Sequence, residues 1–395
     1  MKIAVLVFTY FPDGSAMGRR AHFLCKGLAE HGNEVHVVVA QRFNDGPMYE
    51  EIDGIKVYWS TRTTLSTFHN LSERLKNRWS TYKILKGLFG KGIDWLILIY
   101  PELDRIPHLL LAKKFGVKTI STYDDHRSLS INPSIKNRLL VLRGQIADKL
   151  IPRMTNLNLV TSAFLEAQIR GVAPNTPLFK FPPIVDTNLF NTNKELAKVF
   201  RADFGLGDHV VIAYLGTYWY VEGLAILLAA VNFLKQEGED FRLIISGKPH
   251  MGFEADNVSS LVKQYQLDEI VVETGWLPIE KVIECMSAAD ILVVPKLNNI
   301  ANEAGMPAKL AEYLSVGCAV VASKVGDIPL YLTDNEDALL CEPSDIESLA
   351  DKLRILIRDR SLRDRLALNS RATASKHFDY RVVSEGLDAV MRRLL

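Results

Sequence analysis

Cysteine is scarce in this chain. There are four among 395 residues, Cys25, Cys285, Cys318 and Cys341, and no CxxC spacing. A disulfide framework or a zinc site has little to build on. Three of the four lie in apolar stretches, as expected of reduced, buried thiols in a cytoplasmic protein. Neither sign of charge predominates: 47 Lys and Arg face 46 Asp and Glu, a net charge of +1. Global electrostatics therefore give no reason to expect a nucleic-acid partner. Long apolar runs are missing as well. The opening MKIAVLVFTYFPDG holds roughly ten apolar residues before a turn, short of the ~20 that cross a bilayer. No small-residue cleavage site follows it, so it reads as a buried first strand rather than a signal peptide. Low-complexity tracts and short repeats are absent. What remains is ordinary globular composition, 48% hydrophobic and 24% charged, at a length that suits two or three domains.

The pattern along the chain is an α/β rhythm. Lys2–Phe8 is a continuous β-branched run, typical of a strand covered on both faces. A loop with Gly14, Ser15 and Gly18 follows, and Phe23, Leu24 and Leu28 then recur at a helical period. Strands are expected at Glu34–Ala40, Ile55–Trp59, Trp95–Tyr100, Lys118–Thr122 and Asn158–Thr161. Residues 182–208, with Pro182-Pro183 and a polar stretch after Asp186, read as a junction. The rhythm then restarts with Val210–Leu215, a loop at Gly216–Gly223, a helix over Leu224–Gln236 and strand Phe241–Ser246. Strands Ile270–Glu273 and Ile291–Val294 follow, with helix Ile279–Ala288 between them. The expected organisation is two doubly wound domains, 1–190 and 191–378. A last helix at 379–395 is expected to pack back toward the first domain. Ligands would then bind at the carboxyl ends of both sheets.

The most informative stretch is Glu303–Gly317, EAGMPAKLAEYLSVG. Pro307 suits the first turn of a helix and Gly317 its end. Gly305 and Met306 would then lie where unpaired N–H groups collect, a seat for phosphate. Lys309 and Glu312, three apart, face the same way from adjoining turns. A phosphate seat, a cation and a carboxylate on one element suggest a sugar nucleotide.

With these residues in view, the chain resembles the family-4 glycosyltransferases of the GT-B architecture, two Rossmann-like domains facing across a cleft. YFPDGSAMGRRAHFLCKGLAEHGNEVHVV resembles the family's first loop, helix and second strand, and PPIVDTNLF its hinge. LGTYWYVEGLAILLAA, ISGKP, GWLP and AADILVVPK occur in the family's order, and GMPAKLAEYLSVGCAVVAS resembles its donor-binding helix and following strand. The resemblance implies metal-independent transfer of a sugar from a nucleotide-diphosphate donor, a UDP-sugar in the first instance, with retention and no further cofactor. The donor would lie against the second domain, and a glycan or lipid-linked acceptor against the first.

The roles implied follow residue by residue. Glu312 would bind the ribose hydroxyls, and Lys309 the leaving diphosphate. Gly216, Thr217, Gly305, Met306, Pro307 and Leu277 would line the donor. Lys248 and Lys296 would add charge, and the Gly14, Ser15, Gly18 and Arg19 loop would approach the diphosphate and acceptor. His126 would orient a sugar hydroxyl or a water. Two departures stand out. The family's paired glutamates are separated by seven residues, but here that position is Ala304, and Glu303 is one residue early. Glu303 either faces the transferred sugar or is a loop carboxylate. Glu222 stands where relatives carry a lysine, and is read as a polar donor contact. Two basic stretches, Arg74–Lys91 and Lys136–Arg153 with interleaved leucines, are either solvated faces or a surface for anionic lipid on the inner face of a membrane. The rival readings are a GT-B sugar-nucleotide epimerase and a catalytically silent binding partner that kept the fold.

Overall fold

The computed structural model describes residues 1–12, 15–40, 46–61, 71–125, 135–249 and 256–395. They divide into two units, Met1–Ile184 with Tyr380–Leu395, and Val185–Asp379. The crossings lie at 184/185 and 379/380 rather than at 190/191 and 378/379. The reason is local pairing: Val185 bridges Asp379 in parallel and its N–H donates to the Phe378 carbonyl at 2.9 Å.

The first unit contains β1 (Lys2–Val7), β2 (Glu34–Val39), β3 (Tyr49–Ile52), β4 (Ile55–Trp59), β5 (Trp95–Leu98), β6 (Lys118–Tyr123), β7 (Leu157–Val160) and β8 (Leu178–Lys180). They form one sheet in the order β3-β4-β2-β1-β5-β6-β7-β8. Every pairing is parallel except the β3–β4 hairpin. The β-branched interior of β1 is buried on both faces, which is why no polar alternation marks it. One face is covered by helix Ala16–Glu30 and the terminal helix Tyr380–Leu394, where Phe23, Leu24 and Leu28 meet Tyr380, Val383 and Leu387. Leu85, Leu109 and Ile151, from three other helices, cover the opposite face.

The second unit is wound the same way. Its strands are β9 (Val210–Leu215), β10 (Phe241–Ser246), β11 (Val271–Gly275), β12 (Ile291–Val294), β13 (Ala319–Ser323) and β14 (Leu339–Cys341). The order is β11-β10-β9-β12-β13-β14, parallel throughout. Successive strands run outward from β9 in one direction and from β12 in the other. The crevice at the carboxyl ends of β9 and β12 is therefore the topological switch point, the usual ligand position in such sheets. The junction read at 182–208 contains a helix, Lys194–Asp203, capped by Asn193 and burying Ala197 and Phe200. The four cysteines are free and buried. Among the described residues no helix is long and apolar enough to cross a membrane.

Candidate functional site at the end of the second sheet

The site begins with the turn that ends β9. The Gly216 N–H donates to the Ser246 carbonyl at 2.9 Å and the Tyr218 N–H to the Lys248 carbonyl at 2.9 Å, so the loop continues the pairing with β10. It then closes in a single 3-10 turn, Tyr220–Glu222, and enters helix Leu224–Gln236 through Gly223. Gly223 has φ +75, and a Cβ there would lie 1.7 Å from the Pro295 carbonyl oxygen. Left-handed backbone and contact with a neighbouring main chain both demand glycine. This contact brings the β9 turn against the segment that follows β12.

Glu222 projects from this junction between two lysines. Its Oε1 accepts from Lys296 Nζ at 2.5 Å and its Oε2 from Lys309 Nζ at 2.7 Å. Side-chain exposure is 15% for Glu222, 10% for Lys296 and 14% for Lys309, so these pairs are only weakly screened by water. Lys309 also donates to the Tyr214 hydroxyl at 3.1 Å and sits 4.2 Å from the centre of that ring. The Tyr214 hydroxyl donates in turn to the Thr217 carbonyl at 3.0 Å. Burial acts to raise the Glu222 carboxyl, but Lys309 and Lys296 prevail and hold it at about 2, below the ordinary 4.5. Its ionic contribution to stability is therefore complete above about 4.5 and is lost as pH falls toward 2. Burial, and next the Glu222 charge, push the Tyr214 phenol well above its ordinary 10.0. Tyr214 therefore remains a donor. The three charged side chains together carry one net positive charge at neutral pH.

Lys309 and Glu312 lie on helix Ala308–Val316, which ends at Gly317 with φ 73. Pro307 is its N-cap rather than its first helical residue. Tyr313 fixes this helix to β9: its hydroxyl accepts from the Leu215 N–H at 2.7 Å and donates to the Leu215 carbonyl at 3.0 Å. Glu312 is half-buried, as are Glu303 and Pro307, while Met306 is buried. Glu303 belongs to a short helix, Ile300–Ala304, where a loop was expected. That helix corrects the assignment of Gly305 as a phosphate donor, since its N–H is used on the Ala301 carbonyl at 3.0 Å. Buried Asn302 was missed in the sequence. Its Nδ2 donates to the carbonyls of Val221 and Leu297, both at 2.9 Å, joining the short helix to the β9 turn and the segment after β12.

The other expected donor contacts are more scattered. Gly216 and Thr217 are at the cluster; an added Cβ on Gly216 would lie 2.5 Å from Lys309 Nζ. Lys248 is exposed beyond β10, and Leu277 is half-buried against a core cluster.

In the first unit, Gly14 and His126 lie outside the described residues. Ser15 caps helix Ala16–Glu30, accepting from the Gly18 N–H at 3.0 Å. The Gly18 amide is therefore used within this turn. Arg19 is half-buried in the first turn of that helix. Its neighbour Arg20 is held by Asp124 at 2.9 Å and by the Phe181 carbonyl at 2.6 Å. Asp186 is a turn-former, accepting from the Asn188 N–H at 3.0 Å. A cavity of about 240 Å³ opens past the ends of β1 and β5, lined by Phe8, Met17, Asn77, Arg78, Tyr100 and Arg105, among others. Asp104 pairs with both arginines there.

Residues 198–373 match the family model described as Glycosyl transferases group 1. One component of the phosphatidylinositol N-acetylglucosaminyltransferase of Homo sapiens is 26% identical over 87% of this chain and 66% of its own. The sucrose-phosphate synthase of Thermosynechococcus elongatus superposes with a TM-score of 0.78 at 19% identity, over 100% of this chain and 99% of that one. Anabaena HepE, solved with UDP and glucose, gives 0.75 at 17% identity over 99% of each chain. The chain spans 42% to 66% of the length of three curated relatives it matches, the human one among them. The chain has the two-domain α/β architecture of the GT-B class, and its match to group 1 glycosyl transferases falls on the unit that holds the lysine–carboxylate cluster.

Proposed function

We propose that the protein transfers a sugar from a nucleoside-diphosphate donor to a hydroxyl acceptor, with the donor on the second unit. One observation carries this reading: two lysines, Lys296 and Lys309, converge at the switch point of a parallel sheet. Lys309, Lys296 and the Met306 amide take up the charge that develops on the departing diphosphate, a task a metal ion performs elsewhere. Glu312 accepts from the ribose hydroxyls, and Glu303 faces the transferred sugar. The acceptor attacks the face the diphosphate leaves, so configuration is retained, and a phosphate oxygen takes the acceptor proton. UDP is the first candidate nucleotide, on the strength of the HepE complex with UDP and glucose. Calorimetric titration of UDP, GDP and ADP tests the donor seat. UDP is expected to bind wild type, and Glu312→Ala to bind about tenfold more weakly or worse, the worth of charge-assisted hydrogen bonds. Unchanged affinity in that variant refutes the ribose role, and no binding of any nucleotide to wild type refutes the donor reading. Product analysis with donor alone separates transfer from epimerisation, which needs no acceptor.

The acceptor side of the reading is an amphiphile taken from an anionic lipid surface on the cytoplasmic face. Helix Ile135–Met154 leaves Leu142, Ile146, Leu150 and Met154 exposed at steps of four, with Arg143, Lys149 and Arg153 among them. An apolar stripe flanked by cations suits the headgroup boundary. Wild type is expected to sediment with phosphatidylglycerol vesicles at low salt, and Ile146→Asp with Leu150→Asp to remain in solution. No sedimentation of wild type removes the lipid part of the proposal and leaves the transfer reaction in place.

A further inference from the structure

We infer that Glu222 is a built-in counter-anion that occupies the place of the donor's phosphate and is exchanged for it when the nucleotide binds. The inference rests on the donor reading above and deepens it. Each carboxylate oxygen of Glu222 takes one ammonium, Oε1 that of Lys296 and Oε2 that of Lys309. Two oxygens of a phosphate would use the same two donors in the same way. The lysines are thus already arranged as a bound phosphate would require.

The surroundings leave Glu222 little freedom to withdraw. Its own N–H donates to the Trp219 carbonyl at 3.0 Å, closing the turn. The preceding carbonyl, that of Val221, is held by Asn302, and the following residue, Gly223, abuts the Pro295 carbonyl. With the backbone fixed on both sides, the carboxylate yields only by rotating its side chain. The lysines are confined too. Lys309 Nζ is held by the Tyr214 hydroxyl and ring on one side, and the Gly216 backbone lies close beside it. Without Glu222, two ammoniums brought together here would repel each other. With it, they are paired and aimed at one point. Donor binding is then an exchange of one anion for another on the same cations, and part of the phosphate's attraction is offset by the carboxylate it displaces. This predicts a gain in affinity when the carboxylate is neutralised, and the gain should be confined to ligands that carry phosphate.

The test is calorimetry of the full chain with UDP and with uridine, at one ionic strength, on wild type, Glu222→Gln and Glu222→Asp. Glu222→Gln keeps shape and removes the charge. It is expected to bind UDP about tenfold more tightly than wild type, with uridine affinity unchanged. Glu222→Asp, one methylene shorter, engages one lysine and is expected to gain severalfold; it decides the question if Glu222→Gln does not fold. Equal or weaker UDP binding in the folded variants overturns the exchange and leaves the donor reading standing. A gain shared equally by uridine overturns it as well, since it would then come from reshaping the pocket. Failure of wild type and variants to bind UDP, GDP and ADP alike overturns the exchange and the donor reading together.

Discussion

Lys309→Ala is expected to lower kcat/KM for sugar transfer by on the order of 10²–10³, the usual effect of removing one preorganised donor to a developing anion. The effect depends on where Lys309 is, not only on its charge. It approaches Glu222 at 2.7 Å and the Tyr214 hydroxyl at 3.1 Å, at the carboxyl end of β9. Truncation also leaves the half-buried Glu222 carboxylate, among the described residues, with Lys296 as its remaining ammonium within ion-pair distance, so some stability is lost, about 1–3 kcal/mol. The two effects are separable. Lys309→Arg retains the charge but brings a wide planar head beside the Gly216 backbone. It should therefore recover more of the stability than of the rate. Steady-state kinetics beside urea melts provide the measurement. A Lys309→Ala enzyme with near-normal kcat/KM would remove Lys309 from the chemistry.

Gly223→Ala should cost about 3–5 kcal/mol of stability or prevent folding outright. The methyl would sit 1.7 Å from the Pro295 carbonyl oxygen at φ +75. Relief requires moving either the turn that carries Glu222 or the segment that carries Lys296. Gly238 is the matched control, because its φ is +82 and nothing lies within 4 Å of an added Cβ. Gly238→Ala should cost only the ~1–2 kcal/mol of a left-handed alanine. Equal melting of the two variants would show that the contact at Gly223 is loose. A Gly223→Ala protein that does fold should also bind UDP poorly, since the two halves of the lysine cluster are displaced against each other.

Much of the fold could be read from the residues, because buried parallel strands announce themselves as apolar runs. β1, β2, β9, β10 and β12 follow this rule, and helix Leu224–Gln236 lies where its period placed it. The elements that escaped are short or polar. Helix Lys194–Asp203 buries only Ala197 and Phe200, too few to set a period. Strand β3, polar and four residues long, pairs with the expected β4 across a turn at Asp53-Gly54, both at positive φ, and the DG pair was its available signal. Helix Ile300–Ala304 has five residues, less than two turns, and missing it left the Gly305 amide looking unoccupied. For the site, Lys309 and Glu312 follow from helical spacing. The pairing of Glu222 with Lys296 and Lys309 does not, since the partners are 74 and 87 residues away and meet only through sheet topology. Asn302 and Tyr313 were missed for the same reason: each joins main chains that are distant in sequence.

The terminal helix has a consequence for the order in which the molecule can be made. Phe23, Leu24 and Leu28, which leave the ribosome before any of the second unit, are covered in the finished protein by Tyr380, Val383 and Leu387, which leave it after all of that unit. The second unit is continuous and has all its partners once residue 379 has emerged. The first must hold an apolar helix face uncovered while that entire unit is synthesised. The unit begun first is therefore the one completed last.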